Sequence, residues 1–160
     1  MKLLSGGQTG VDRAVLDVAI AGGIDYGGWC PKGGWAEDFA EPPGVLVKYP
    51  NLKETPLADP AQRTEWNARD ADACMIIFDA GGMEASKGTT LGSKIAHRYR
   101  KPLLTVNLQQ ANVREPAALW LRVQQAKFGD GFILVIGGPR ESEAPGIYAR
   151  ATAFIEALLG

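Results

Sequence analysis

Residues 5–13, Ser-Gly-Gly-Gln-Thr-Gly-Val-Asp-Arg, crowd glycines, a carboxamide, a hydroxyl, a carboxylate and a guanidinium into one short stretch. An apolar start (Met1, Leu3, Leu4) runs into it, and an amphipathic stretch with Val11, Ala14, Val15, Val18 and Ala19 on one face follows. That pattern predicts a strand, a glycine turn and a helix N-terminus. Glycines let a backbone come close to a ligand, and Thr9 is placed to cap the helix. The free N–H groups and positive dipole end of the helix then favour an anion, a phosphate or another oxyanion. Gly6, Gly7, Gln8, Thr9 and Gly10 are therefore candidate ligand-binding residues. The loop is not a Walker A sequence, since no Gly-Lys-Ser/Thr follows, and the glycines do not fall in a Gly-x-Gly-x-x-Gly pattern. The alternative is a tight turn that needs glycine for geometry alone.

The same chemistry recurs further along. Gly88-Thr89-Thr90 is a second glycine-then-hydroxyl turn at a helix start, and Gly137-Gly138-Pro139-Arg140-Glu141-Ser142 a third glycine turn after a strand. Lys32, Arg63 and Arg140 supply positive charge, while Gln8, Thr9, Thr89 and Thr90 donate hydrogen bonds; Glu141 joins the candidate set. Each cation also has a plainer reading: Lys32 solvated, Arg63 paired with Glu65 or Asp70, Arg140 bracing Glu141 or Asp12. Acid–base candidates are Asp12, Glu37, Asp38 and Glu141, but spacing brings no pair of them together. There is no Gly-x-Ser-x-Gly elbow and no Cys–His pair, so the catalytic residues are unknown and the sequence reads more as a binding site than a reaction centre.

These turns need elements to position them. The chain alternates: strands at residues 1–4, 24–26, 45–48, 73–79, 102–107 and 132–136, and helices at 10–21, 60–72, 89–100, 115–127 and 145–159. Residues 27–44, rich in Gly and Pro, read as a long ordered loop, and 49–59 as coil. Strands separated by helices mean right-handed βαβ units and a parallel sheet. The expected fold is α/β, a three-layer Rossmann-like sandwich with a mainly parallel sheet. Ligands of such sheets sit at the carboxyl ends of the strands, where the unusual loops fall.

Composition narrows the class. At 160 residues the chain suits one domain with a real core. A net charge of −1 argues against a nucleic-acid or membrane-surface partner. The apolar runs are strand-length, with no membrane span or leader in view. Two cysteines make no disulfide framework and, with His97 the single histidine, no metal site is expected. Cys30 and Cys74 read as packed thiols, His97 as a surface residue, and the cytoplasm as the compartment.

The motifs in residues 5–13, 28–38 (GWCPKGGWAED), Arg63-Thr64 with Asn67, Gly88-Thr89, and 137–142 with 145–148 (GGPRES, then PGIY) together resemble the putative molybdenum carrier family. That family belongs to the SLOG group of Rossmann-like nucleotide-binding folds. The resemblance covers nearly the whole chain. It implies a single Rossmann-like domain over residues 1–160, a homo-oligomer (dimer or tetramer), and a small anionic ligand at the loop edge. No cofactor is certain; the ligand would be a molybdate-type oxyanion or a nucleotide. The related lonely-guy-type phosphoribohydrolases carry Pro-Gly-Gly-x-Gly-Thr-x-x-Glu. Here Gly81-Gly82 is separated from Gly88-Thr89, and Gly92 stands where that glutamate would be. The leading expectation is an oxyanion- or nucleotide-derivative-binding protein rather than an enzyme. The alternative is a nucleotide-processing hydrolase that uses Glu37, Asp38 or Glu141. A third reading makes the loops subunit contacts, with Trp66 and Trp120 exposed.

Overall fold

The structure, a computed structural model, describes residues 1–160. Strands β1 (Lys2–Leu4), β2 (Asp25–Gly27), β5 (Ala73–Phe78), β6 (Leu103–Asn107) and β7 (Ile133–Gly137) form one parallel sheet in the order β2-β1-β7-β5-β6. Strands β3 (Trp29–Cys30) and β4 (Lys53–Glu54) form a separate two-stranded parallel ladder. Helices α1 (Val11–Ala21), α2 (Pro60–Asp70), α3 (Lys87–Arg98), α4 (Arg114–Phe128) and α5 (Ile147–Leu159) complete a Rossmann-like α/β fold.

The residues explain the layering. A parallel strand in the middle of a sheet is covered on both faces, and Ala-Cys-Met-Ile-Ile of β5 is buried throughout. Alternate residues of β5 and β7 point to opposite faces. Met75, Ile77, Leu134 and Ile136 join a cluster of 21 buried residues with the apolar stripes of α1 and α5 and the inner face of α4. Cys74 instead joins Ala68 of α2 and Ile95 and Ala96 of α3 in a cluster of four, against which Val135 packs.

The connections define a switch point. From β1 the chain leaves by α1 toward β2; from β5 it leaves by α3 toward β6. The two crossovers run in opposite directions and so lie on opposite faces. Strand β7 sits between β1 and β5, with Leu3 beside Leu134 and Cys74 beside Val135. The carboxyl ends of these three strands open a crevice there.

Three local expectations are corrected. Residues 45–48 are not a strand: Gly44–Val47 is a 3₁₀ turn with no strand partner, started by Gly44 at φ 58° and leaving Val47 70% exposed. The loop over 27–44 contains β3, and the coil over 49–59 contains β4, ladders too short for any alternation to show in sequence. Helix α3 starts at Lys87, before Thr89, because the Ser86 hydroxyl caps it by accepting the Thr89 amide at 3.2 Å.

Candidate functional site

The first glycine turn is held by its own side chains. Ser5 Oγ donates to the Asp12 carbonyl at 2.8 Å and accepts the Gly7 amide at 3.2 Å. Gln8 Oε1 accepts the amides of Thr9 and Glu37 at 3.0 and 2.9 Å, which ties the turn to the loop after β3. Arg13 reinforces that tie with a two-pronged pair to Asp38, at 2.7 and 2.8 Å, which holds the Asp38 carboxyl below its ordinary pKa.

Thr9 does not cap α1. Gly10 occupies the N-cap position without a side-chain bond, and the Thr9 hydroxyl donates to Glu37 and accepts the Glu141 amide. The reason lies at Gly10, whose φ is 75°: a Cβ there would come within 2.3 Å of the Pro139 carbonyl oxygen. The loop after β7 passes over the first turn at that point, and Thr9 and Glu37 stitch the two together.

A cavity of about 310 Å³ opens at the switch point, beneath α2 and α3. Six candidate residues line it: Gly6, Gln8, Arg63, Gly88, Thr89 and Arg140. The other six lie elsewhere. Gly7 faces Leu52 and Val45. Thr9 and Gly10 make the loop contacts just described. Lys32 is exposed on a 3₁₀ turn. Thr90 Oγ1 donates to the Met83 and Ser86 carbonyls, and Glu141 accepts the Gly146 and Tyr148 amides at the start of α5.

The cavity pairs charges closely. Arg63, delivered by α2, donates to Asp12 at 2.8 Å, and Asp12 also accepts the Gln8 amide at 3.4 Å. Burial raises the Asp12 pKa, and Arg63, the Gln8 amide and Arg13 pull against that rise. Gly6 makes room for this pair, since a Cβ there would lie 1.8 Å from Arg63 Nη1. Arg140 faces Glu143 at 3.6 Å and the Trp35 ring at 5.9 Å. So Arg63 pairs with Asp12, not with Glu65 or Asp70, and Arg140 with Glu143, not with Glu141 or Asp12.

Two buried polar atoms of the cavity lining have no hydrogen-bond partner, Thr89 Oγ1 and Arg63 Nε. The amides of Lys87 and Gly88, in the first turn of α3, also have no backbone acceptor. The floor is apolar: Cys74, Ile76 and Val135 from the sheet, with Ala68 and Leu91 on the flanking helices. Burial pushes the Cys74 thiol up to about 11, so it is neutral there.

Sequence reasoning missed Ser86, Glu143 and the floor residues as parts of this site. A serine three positions before Thr89 is an N-cap signal that marks Ser86. The period of two along β5 and β7 marks the floor, once the face is known. The acids proposed for hydrolysis are engaged outside the cavity. Asp38 holds Arg13, Glu141 holds α5, and Glu37 binds Thr9 and Ser142. Burial would raise Glu37, but the bonds from Ser142 and Thr9 prevail and keep it ionised below its usual range. Trp66 and Trp120 are half-buried, Trp66 edge-on to Trp29 with centroids 4.7 Å apart and Trp120 packed on the main core. No helix is long and apolar enough to cross a membrane.

With that geometry in hand, the comparisons are specific. The circularly permutated YpsA SLOG family matches residues 3–159. The chain is similar to a crystal structure of a putative molybdenum carrier protein from Syntrophus aciditrophicus SB: 36% identity, TM-score 0.84, covering 99% of this chain and 94% of that one. No curated protein matches the chain.

Proposed function

The chain belongs to the circularly permutated YpsA SLOG family, a family of ligand-binding folds, and we propose that its cavity binds a mononucleotide-type ligand by the phosphate. The observation that carries the reading is the unpartnered Thr89 hydroxyl in the first turn of α3, where the Lys87 and Gly88 amides have no backbone acceptor, together with the unsatisfied Arg63 Nε on another wall residue of the same cavity. A buried donor without an acceptor costs about 1–3 kcal/mol, and an oxyanion toward which the Thr89 hydroxyl or the Arg63 guanidinium turns removes that cost.

Size and charge favour a nucleotide over a bare oxyanion such as molybdate. A tetrahedral oxyanion needs the room of a few waters, each taking about 30 Å³ in the liquid, and would leave most of 310 Å³ empty. Asp12, Asp59 and Glu143 also line the cavity and balance Arg63, Lys87 and Arg140. Carboxylates call for donors, which sugar hydroxyls and base amino groups supply and an oxyanion lacks. The apolar floor suits the base.

A panel of nucleoside 5′-monophosphates, molybdate, tungstate and phosphate, read by thermal shift, tests the proposal. At least one nucleoside monophosphate raises Tm at concentrations where molybdate does not. Stabilisation by molybdate alone overturns the nucleotide reading and favours the carrier role named for the solved relative.

A hydrolytic reading is favoured by one observation, the position of Asp12. It is a carboxyl in the cavity whose burial pushes it toward the protonated form that a general acid needs. Release of base or phosphate from the same panel, lost in Asp12→Asn while binding persists, would establish it. We place the protein in the cytoplasm, in keeping with two unpaired buried thiols, Cys30 and Cys74.

A further inference from the structure

The outward face of α4 carries two of the five large apolar side chains that the fold leaves exposed; the others, Ile20, Val47 and Leu57, lie on separate segments. Leu119 and Val123 are 57% and 53% exposed, and Glu115, Pro116 and Arg122 around them are exposed too. Leu119 points straight away from the core, because Ala117, Leu121 and Gln124 hold the opposite side of the helix. Neither Glu115 nor Arg122 makes an ion pair within the chain, although oppositely charged and on one flank of the helix. The ion pairs of the fold use other residues.

We propose that this face docks a second copy of the chain, α4 against α4, across a two-fold axis at Leu119. Helical geometry sets the pairing. At about 3.6 residues per turn, positions three and four away on either side of Leu119 surround it on the surface. Those positions are Glu115 and Pro116 before it and Arg122 and Val123 after it. Glu115 and Arg122 lie on one flank, Pro116 and Val123 on the other. A two-fold axis at right angles to the helix reverses its direction but keeps each flank on its own side. Glu115 then meets Arg122 of the partner subunit, and Pro116 meets Val123 of the partner subunit, each pairing made twice. Leu119 meets its own copy at the axis. Charge falls on opposite charge and apolar on apolar, as an isologous interface requires.

The surroundings extend the patch. Strand β6 is an edge of the sheet, hydrogen-bonded only to β5. A groove of about 160 Å³ runs between it and the first turn of α4, and Pro116 lines both groove and patch. This inference is independent of the cavity, which opens on the other face of the sheet.

Sedimentation equilibrium of the full chain, with a charge-swap set, tests it. Wild type sediments as a dimer. Leu119→Glu sediments as a monomer, as does Glu115→Arg, which sets Arg against Arg. The double variant Glu115→Arg with Arg122→Glu restores the pairing with signs exchanged and recovers dimer to within about tenfold of wild type. A Leu119→Cys chain forms an intermolecular disulfide on mild oxidation, since the two thiols meet at the axis. Circular dichroism of each variant confirms the fold. A wild type that stays monomeric at hundreds of micromolar overturns the proposal; so does a dimer insensitive to Leu119→Glu, or one that the charge swap does not recover.

Discussion

The two faces of the sheet are built from neighbouring residues of the same strands and serve opposite ends. On one, Leu134 and Ile136 of β7 meet the stripes of α1, α4 and α5 in a cluster of 21 buried residues. On the other, Val135 and Cys74 meet α2 and α3 in a cluster of four and then floor an opening of about 310 Å³. The second face keeps close-set charges and two unsatisfied polar atoms, Thr89 Oγ1 and Arg63 Nε, on residues that line a cavity; the other two such atoms, Arg13 Nε on α1 and Gln124 Oε1 on α4, belong to residues that do not line it. The contrast locates function: a ligand belongs where a cavity and buried polar groups without partners coincide.

The contrast breaks first at the packed face. Leu134→Ala removes a fully buried side chain and is expected to cost 2–5 kcal/mol, lowering Tm by roughly 10 °C in thermal denaturation. Its neighbour Val135→Ala, on the open side, is expected to cost about 1 kcal/mol. Equal losses would mean that the two faces are not differently packed.

Arg63→Ala comes next, at about 2–4 kcal/mol, because it strands the Asp12 carboxylate in a buried site. The sign of its pH dependence follows. Burial already raises the Asp12 pKa, and losing the Arg63 charge raises it further. A carboxyl whose folded pKa lies above its unfolded value favours the fold where it is protonated. The deficit is therefore full at pH 7 and shrinks as pH falls through the raised pKa toward the unfolded value near ~3.9. Urea melts at pH 7 and pH 4 measure this, and a deficit that grows on acidification would contradict it.

Thr89→Val sharpens the contrast by separating stability from binding. The variant keeps the shape and deletes a buried hydroxyl without a partner, so the ligand-free protein is expected to gain up to about 1 kcal/mol. Ligand affinity falls at least tenfold. A loss of stability would show that the hydroxyl serves the fold. Smallest of all is Lys32→Ala: the exposed side chain lies outside the cavity and makes no ion pair, and stability and affinity stay within about 0.5 kcal/mol of wild type.

The same contrast explains what was legible in the sequence. Alternation of strands and helices gave the Rossmann-like fold because it rests on periodicity, which each residue carries by itself. The ladder of Trp29–Cys30 with Lys53–Glu54 was hidden because two-residue strands have no period. In the site, Gly6 and Arg63 were readable as types but not as a pair: Gly6 lacks a side chain because Arg63, far along the chain, lies against it. Thr9 has the right chemistry for an anion and Glu141 for a ligand's hydroxyl or amino donors, and both spend it within the fold, Thr9 on Glu37 and Glu141 on the start of α5. Glycine-then-hydroxyl turns look alike in sequence whether they face a ligand or a neighbouring loop. Only burial and the census of hydrogen-bond partners separates Thr89 from Thr9.

Thr89 and the first turn of α3 are the centre of the proposed site. Isothermal titration of the nucleoside 5′-monophosphate that most raises Tm, into wild type and into Thr89→Val side by side, measures that directly. One molecule bound per chain, with affinity reduced at least tenfold in the variant, is the expected result. Equal affinity in the two proteins, or heat from molybdate and none from any nucleotide, would contradict it.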